Sequence, residues 1–267
     1  MLKNKPLSNE VFLRHVRDYL PMDASVWNTD EKGKPASCAL SSGMAENHFY
    51  LFDADAMLAA SHAIEELALE EAKGFLLATM QEFRNFEPHR ERYWQLAATL
   101  GEARVIARGR RPPRHGHLKF ITLDQKSLAS FWTVLYQGHH HQAMLVCRQV
   151  NDARPFEQKR FDGFYTFNPG LIARVRGDIE DILAGRASPM REFERLHAID
   201  RAAKWLGAEF AREHKAVEEA LRKLQVSGHR YEARHFAADL EKSLNRLRHL
   251  TDQLPGLVGA SAPRLAA

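Results

Sequence analysis

The 267-residue chain is 45% hydrophobic and 27% charged, ordinary for a globular protein and enough to bury a real core without disulfide staples. Its formal net charge of +4 permits an acidic partner without demanding nucleic acid, and no apolar run approaches the roughly 20 residues of a membrane span. The first residues lack a signal-peptide pattern, and the two cysteines, Cys38 and Cys147, have no metal-type spacing, so a cytoplasmic protein without membrane contact is expected.

Residues 1–50 read as a preface. It holds one short amphipathic helix, Val11 to Leu20, stopped at Pro21, and then a polar loop. Residues 51–185 alternate helix and strand signals. Met57 to Ala72 carries a helical stripe of Met57, Leu58, His62, Ile64, Leu67 and Leu69, ended by Gly74. Phe75 to Met80 is a short apolar run, the mark of a strand buried on both faces. Pro88 to Leu100 is helical, Ala103 to Ala107 a strand, and Arg108 to His117 a basic loop. Strand-like runs follow at Leu118 to Leu123, Phe131 to Tyr136 and Ala143 to Val150. Pro169, Leu171, Ile172, Val175, Ile179 and Ile182 mark a closing amphipathic helix. The expected architecture is mixed α/β, with a central sheet of about five strands flanked by helices.

Residues 189–254 differ in having almost no β-branched residues and a sustained heptad. Leu196, Ala203, Phe210, Val217 and Leu224 fall seven apart; Ile199, Leu206 and Ala220 form the companion seam, and Glu213 interrupts it. Val226-Ser227-Gly228 breaks the pattern, and Phe236, Leu240, Leu244, Leu247, Leu250 and Leu254 predict a second helix. An antiparallel helical hairpin is expected, a dimer or partner element centred on Leu196, Leu206, Phe210, Val217, Leu224, Leu240 and Leu247, with a frayed terminus at 255–267.

Three constellations are candidates for chemistry. His139, His140 and His141 lie between two strand signals and read as a hairpin turn; His139 and His141 alone can share a face, and no third ligand sits at fixed spacing. They are the only metal candidates, and no metal or cofactor is assigned. The string Phe49-Tyr50-Leu51-Phe52-Asp53-Ala54-Asp55 has the shape of the Asp-x-Asp strand of Mg²⁺-dependent phosphatases and glycosyltransferases, with Gly177-Asp178-Ile179-Glu180-Asp181 as a conceivable second acidic motif. The residues after Asp55 start a helix, however, and Asp178 and Asp181 lie inside a periodic one, so Asp53 or Asp55 is read as an N-cap. Arg108, Arg110, Arg111 and Arg114 form a candidate anion-binding loop, without the aromatic interleaving of a single-strand nucleic-acid groove. No Walker, dinucleotide, zincin, nucleophile-elbow or Cys-x-x-Cys motif occurs, so no enzymatic activity is expected. Aromatics crowd the middle segment, and Phe83, Tyr93, Trp132, Phe161 and Phe164 are candidate pocket residues.

Four stretches together carry a resemblance. They are Met57-Leu58-Ala59-Ala60-Ser61-His62-Ala63-Ile64-Glu65-Glu66; Phe75 to Phe86, where Met80 replaces a phenylalanine and Gln81 remains; Arg92-Tyr93-Trp94-Gln95-Leu96-Ala97; and the set Phe131 to Leu135, Ala143 to Arg148 and Arg160 to Thr166. Over about residues 55–185 the chain resembles the DICT domain, a sensory module of diguanylate cyclases, two-component proteins and some MerR-type regulators. The resemblance implies signal sensing without catalysis and supplies no binding residues. Such modules accompany an output domain, yet no Gly-Gly-Asp-Glu-Phe string occurs and the preface is too short for a winged helix, which leaves the helical tail as the expected output. Rival expectations are a ligand-free interaction scaffold and a Mg²⁺-dependent enzyme using Asp53 and Asp55.

Overall fold

The computed structural model describes residues 9–19, 28–29, 35–36, 49–123, 128–153, 155–187, 189–226, 238 and 241–246. They fall into two compact units, Met1–Phe193 and Glu194–Ala267. In chain order the first unit contains α1 (Asn9–Tyr19), β1 (Asn28–Thr29), β2 (Pro35–Ala36), β3 (Tyr50–Asp53), α2 (Ala54–Glu71), β4 (Phe75–Glu82), α3 (Arg90–Thr99), β5 (Glu102–Arg108), β6 (Leu118–Thr122), β7 (Phe131–Gln137), β8 (Gln142–Gln149), β9 (Arg160–Thr166) and α4 (Pro169–Leu183). β1 and β2 make a separate two-residue pair, while the other strands form one seven-stranded sheet in the order β3-β9-β8-β7-β4-β5-β6.

β4 is the hinge of this sheet. It runs parallel to β5, which runs parallel to β6, and antiparallel to β7 on its other side. Its first six residues are all buried because helices cover both faces, which is why the strand is a continuous apolar run instead of an alternating one. On one face lie Leu76, Ala78, Ala103, Val105, Val134, Leu145 and Phe161, packed against Phe12 and Val16 of α1, the alanine-rich side of α2, and Tyr93, Leu96 and Ala97 of α3. By the alternation of strand side chains, Leu77, Ile106, Leu135, Met144, Val146 and Phe164 face the other way, toward α4. Phe49, Phe131 and Phe193 extend that second layer, with ring centroids 5.3 and 5.0 Å from Phe49 and Phe131 to Phe193.

The sheet has seven strands where about five were expected. The additional two are β3 and β9, which pair with each other, Phe52 opposite Phe161. β3 is only four residues long, and β9 is interrupted by Gly163, so neither shows a clean period in isolation. α2 starts at Ala54, three residues before the first apolar position, because Asp53 Oδ1 accepts from Ala56 N at 2.8 Å and caps it. At the other end, Ala72 takes the left-handed cap position (φ 57°). Gly74 serves a different need: a Cβ there would lie 2.6 Å from the Gln137 carbonyl oxygen.

Asp178, inside α4 as its periodicity requires, does structural work. Its carboxylate accepts from Glu192 N at 2.6 Å and from Arg191 Nε at 3.0 Å, at the start of α5 (Arg191–Val226). In the second unit α5 continues to Val226, and Ala238 and Glu241–Arg246 are also helical. Leu206 is buried, while Leu196, Ile199, Phe210 and Val217 are half-buried and Ala203 is exposed. Glu213, the residue that interrupts the heptad, is buried and meets Arg246 Nη1 at 3.2 Å, so the second helical segment answers the interruption with an ion pair. The side chains of Ala220 and Leu224, and all of Cys38, Gly228, Phe236, Leu240, Leu247, Leu250, Leu254 and 255–267, lie outside the described residues.

Candidate functional site

The pairing of β4 with β5 slips between Thr79 and Glu82, a local irregularity of the kind that turns side chains aside at strand ends. The chain then winds through two short 3₁₀ turns, Phe83–Asn85 and Glu87–His89, the second stiffened by Pro88. These turns carry Arg84, Asn85, Pro88 and His89 over the carboxyl end of β4. Leu58 from α2, Trp132 from β7, Phe156 and Lys159 from the turn before β9, and Phe161 complete the lining of a cavity of about 370 Å³. Its wall is aromatic: the Trp132 ring lies 5.6 Å from Phe161 and 6.0 Å from Phe156. The end of a parallel strand where sheet pairing changes is a recurrent place for ligands in α/β folds.

A second, polar cleft of about 390 Å³ shares Gln81, Arg84, Asn85 and Lys159 with the first and adds Glu82, Arg108, Ser130, Gln149, Asn151 and Asp152 among others. Gln81 organises the junction. Its side chain donates to Gln149 and accepts from Lys159 Nζ at 2.5 Å, and its carbonyl accepts from Arg108 Nε at 3.4 Å. Burial, and then the nearby Arg84 charge, lower the Lys159 ammonium below its ordinary range.

Of the candidate pocket aromatics, Trp132 and Phe161 come together in this cavity. Phe83 packs on Phe120 within the core, Tyr93 is buried beside Glu65, and Phe164 lies against Phe49 on the other face of the sheet. Of the basic loop, Arg108 reaches the polar cleft, Arg111 donates to Thr122 Oγ1 at 2.5 Å, and Arg110 and Arg114 are exposed. The histidine turn is held from below. Glu71 accepts from the His140 amide at 2.6 Å, the His141 amide at 3.2 Å and the Tyr136 hydroxyl at 2.8 Å, and these bonds outweigh partial burial to hold its carboxyl low. Among the described residues no group of three or more His, Cys, Asp or Glu is placed to hold a metal ion. Asp53 is engaged as the α2 cap and Asp55 is exposed in its first turn. As cavity residues, sequence reasoning missed Leu58, Met80, Gln81, Arg84, Asn85, Pro88, His89, Phe156 and Lys159; the signal for Leu58, and for Met80 to Asn85, was only that they fell within the stretches that carry the resemblance.

Beside the cavity lies a buried polar network built from the two helical motifs. Glu65 of α2 is 2% exposed and takes hydrogen bonds from Arg92 Nε and, at 2.8 Å, from the Tyr93 hydroxyl. Burial raises the Glu65 carboxyl, while its two donors pull it down. Arg92 also binds Glu66 at 2.9 Å and the His62 carbonyl at 2.9 Å, and its guanidinium lies 5.4 Å from the Tyr19 ring centroid. Tyr19 in turn donates to Glu66, so α1, α2 and α3 meet on one arginine. His62 sits between Tyr19 and His89, with ring centroids 4.9 and 5.5 Å away. Burial, then the Arg92 and His89 charges, depress His62 to about 4, against a weaker opposing pull from Glu66. His89 is lowered for the same first reason, followed by the Arg92 charge.

Because the folded value of His62 is depressed, its stabilising contribution is complete above its ordinary 6.5 and is lost as pH falls from there toward 4. After discounting for partial exposure, His62→Gln should remove about 2 kcal/mol of the acid sensitivity over that window. Urea titrations of both proteins at a series of pH values check this; parallel curves would refute it.

Comparison with known proteins adds a family. Residues 38–150 match the model of DICT, described as a sensory domain in diguanylate cyclases and two-component systems. No curated protein matches the chain. Among solved structures, a polyphosphate kinase from Porphyromonas gingivalis aligns at 14% identity with a TM-score of 0.40, over 57% of this chain. The chain spans about a quarter of that kinase, covering 25% of it, and so slight a likeness carries no argument about chemistry. The matched segment ends at Val150 and contains α2, both motif helices' ion pair and the β4 end of the cavity, whereas β9, Lys159 and Phe161 lie beyond it. Residues 38–150 of this chain are thus similar to the DICT family of sensory domains.

Proposed function

We propose that the chain is a non-enzymatic regulatory protein that senses a small molecule in the cavity at the carboxyl end of β4 and signals through its C-terminal helices. The observation that carries this reading is the pairing of a sensory family segment with an aromatic-walled cavity of about 370 Å³ bordered by a few polar groups. That combination is the usual form of a small-molecule site. The cavity lies beside the network that joins α1, α2 and α3, since His89 lines it and touches His62. A ligand that favours one arrangement of His89 therefore shifts the population of states available to α1.

The output reading rests on the tail. α5 runs 36 residues with a heptad seam, and Trp205 is 50% exposed on it. Such a helix suits self-association or docking to a signalling protein. Its first turn is tied by the Asp178 contacts to α4.

Native mass spectrometry of the full-length protein, purified from its natural host, tests both parts at once. The expected result is a dimer mass with a small molecule retained on the wild type, and loss of that molecule in Leu58→Trp, which fills the cavity from its half-buried α2 wall. A bare chain mass from the wild type would overturn the ligand reading, and a monomer mass would overturn self-association.

A further inference from the structure

We infer that the ligand is an organic anion, with an apolar planar body seated against Trp132, Phe156 and Phe161 and a carboxylate or phosphate head held by Lys159 and Arg108 in the adjoining polar cleft. This rests on the small-molecule reading above and goes further by naming the chemical class.

The two cavities are continuous in their lining. Gln81, Arg84, Asn85 and Lys159 border both, so one molecule can place its body in the first and its head in the second. The first is walled by Leu58, Met80 and the three aromatics, which suits flat hydrocarbon. The second contains three cations, Arg84, Arg108 and Lys159, against two carboxylates, Glu82 and Asp152. Arg84 is already matched by Glu82, Nε to Oε2 at 2.7 Å. Lys159 and Arg108 are not: among the described residues their hydrogen bonds go to the uncharged Gln81, Lys159 to its side-chain oxygen and Arg108 to its backbone carbonyl.

Two cations held by one uncharged residue, Lys159 on its side-chain oxygen and Arg108 on its backbone carbonyl, within a concave site, leave a place for an anion. The lowered Lys159 ammonium agrees, because it records a half-buried charge near Arg84 that lacks a full counter-charge. An incoming carboxylate or phosphate supplies that charge and accepts from both donors. Gln149 keeps the arrangement in place: it accepts from the Gln81 side-chain amide while its own amide donates to the Asn151 carbonyl at 2.5 Å, so Gln81 presents its oxygen to Lys159.

The test uses the full-length protein and two fluorescent dyes of one shape, the anionic anilinonaphthalene sulfonate and the uncharged phenylnaphthylamine. The wild type should bind both, the anion about tenfold more tightly, as expected when charge-assisted hydrogen bonds are added. Lys159→Ala with Arg108→Ala should weaken the anion to the level of the neutral dye, and Arg108→Ala alone, which borders only the polar cleft, should weaken the anion and leave the neutral dye unchanged. Unchanged thermal unfolding confirms that these variants are folded. Displacement of the anionic dye by naphthoate or by naphthyl phosphate identifies the head group and supports the inference; displacement by neither overturns it. Anion binding that ignores the two substitutions overturns it too, while leaving the apolar cavity intact. If neither dye binds the wild type, the ligand-binding reading itself falls.

Discussion

Arg92→Met is expected to destabilise the first unit by about 3–5 kcal/mol, the range for removing one partner of a buried ion pair. The substitution keeps much of the side-chain volume and removes the charge that offsets Glu65. Glu65 is 2% exposed and would retain only the Tyr93 hydroxyl. Glu66 and Tyr19 would lose their shared guanidinium as well, which leaves their direct hydrogen bond as the tie to α1 in this network. A second signature separates this from simple loss of packing. Without Arg92, burial dominates the Glu65 carboxyl and raises it further above its ordinary 4.5. Stability of the variant should therefore be greatest below that value and should fall as pH rises from it, the opposite slope to that set by His62. Adding Glu65→Leu should restore most of the loss, since a buried pair replaced by apolar groups is often tolerated. Chemical unfolding of the two single variants and the double variant gives the coupling energy; strict additivity would show that the pair does not act as a unit.

Gly163→Ala should cost about 3 kcal/mol, at the upper end of what one added methyl imposes on a packed interior. The new Cβ would lie 2.2 Å from the Val146 carbonyl oxygen, 2.3 Å from Cys147 Sγ and 2.5 Å from Cys147 Cα. Two of those atoms are backbone, so β9 must move away from β8, where Gly163 pairs with Cys147. The strand also carries β3, paired Tyr50 to Gly163, and the cavity wall residue Phe161. Thermal unfolding should fall by roughly 6–12 °C, taking the usual scaling for a domain of this size. Gly177→Ala is the matched control. It lies in α4 with nothing within 4 Å of the added atom, so it should be neutral or stabilise by up to about 1 kcal/mol. Equal effects of the two changes would show that the close approach at Gly163 is not what demands glycine.

These two sites divide what was legible from what was not. Glu65 and Arg92-Tyr93 stood out in the sequence as motif residues on two helices, but nothing in either motif said that they bind each other. That requires α2 and α3 to lie side by side on one face of the sheet. Gly163 sat within a recognisable string, yet the reason for a glycine is the backbone of β8 at Val146 and Cys147, a separate strand earlier in the chain.

Local chemistry was sufficient wherever an element could be specified by its own residues. The 3.6-residue stripes of α2 and α4, the fully apolar run of β4 and the cap at Asp53 depend on side chains and backbone groups within a few positions, or on burial that composition already implies; the turn at His139–His141 has its own local bond, Gly138 N to the His141 carbonyl, beside the distant Glu71. The helical character of the tail follows the same logic. What only the tertiary structure decided is the cavity and its polar neighbour. Leu58, Gln81, Trp132 and Lys159 come from four separate elements, and no periodicity links them. Their meeting is fixed by sheet order, which places the start of β7 and the turn before β9 at the carboxyl end of β4. Sheet order is a property of long-range pairing, selected by the whole core at once; it therefore leaves no mark on any one segment, whereas the turn at the histidines and the cap at Asp53 could be read from their own neighbourhoods.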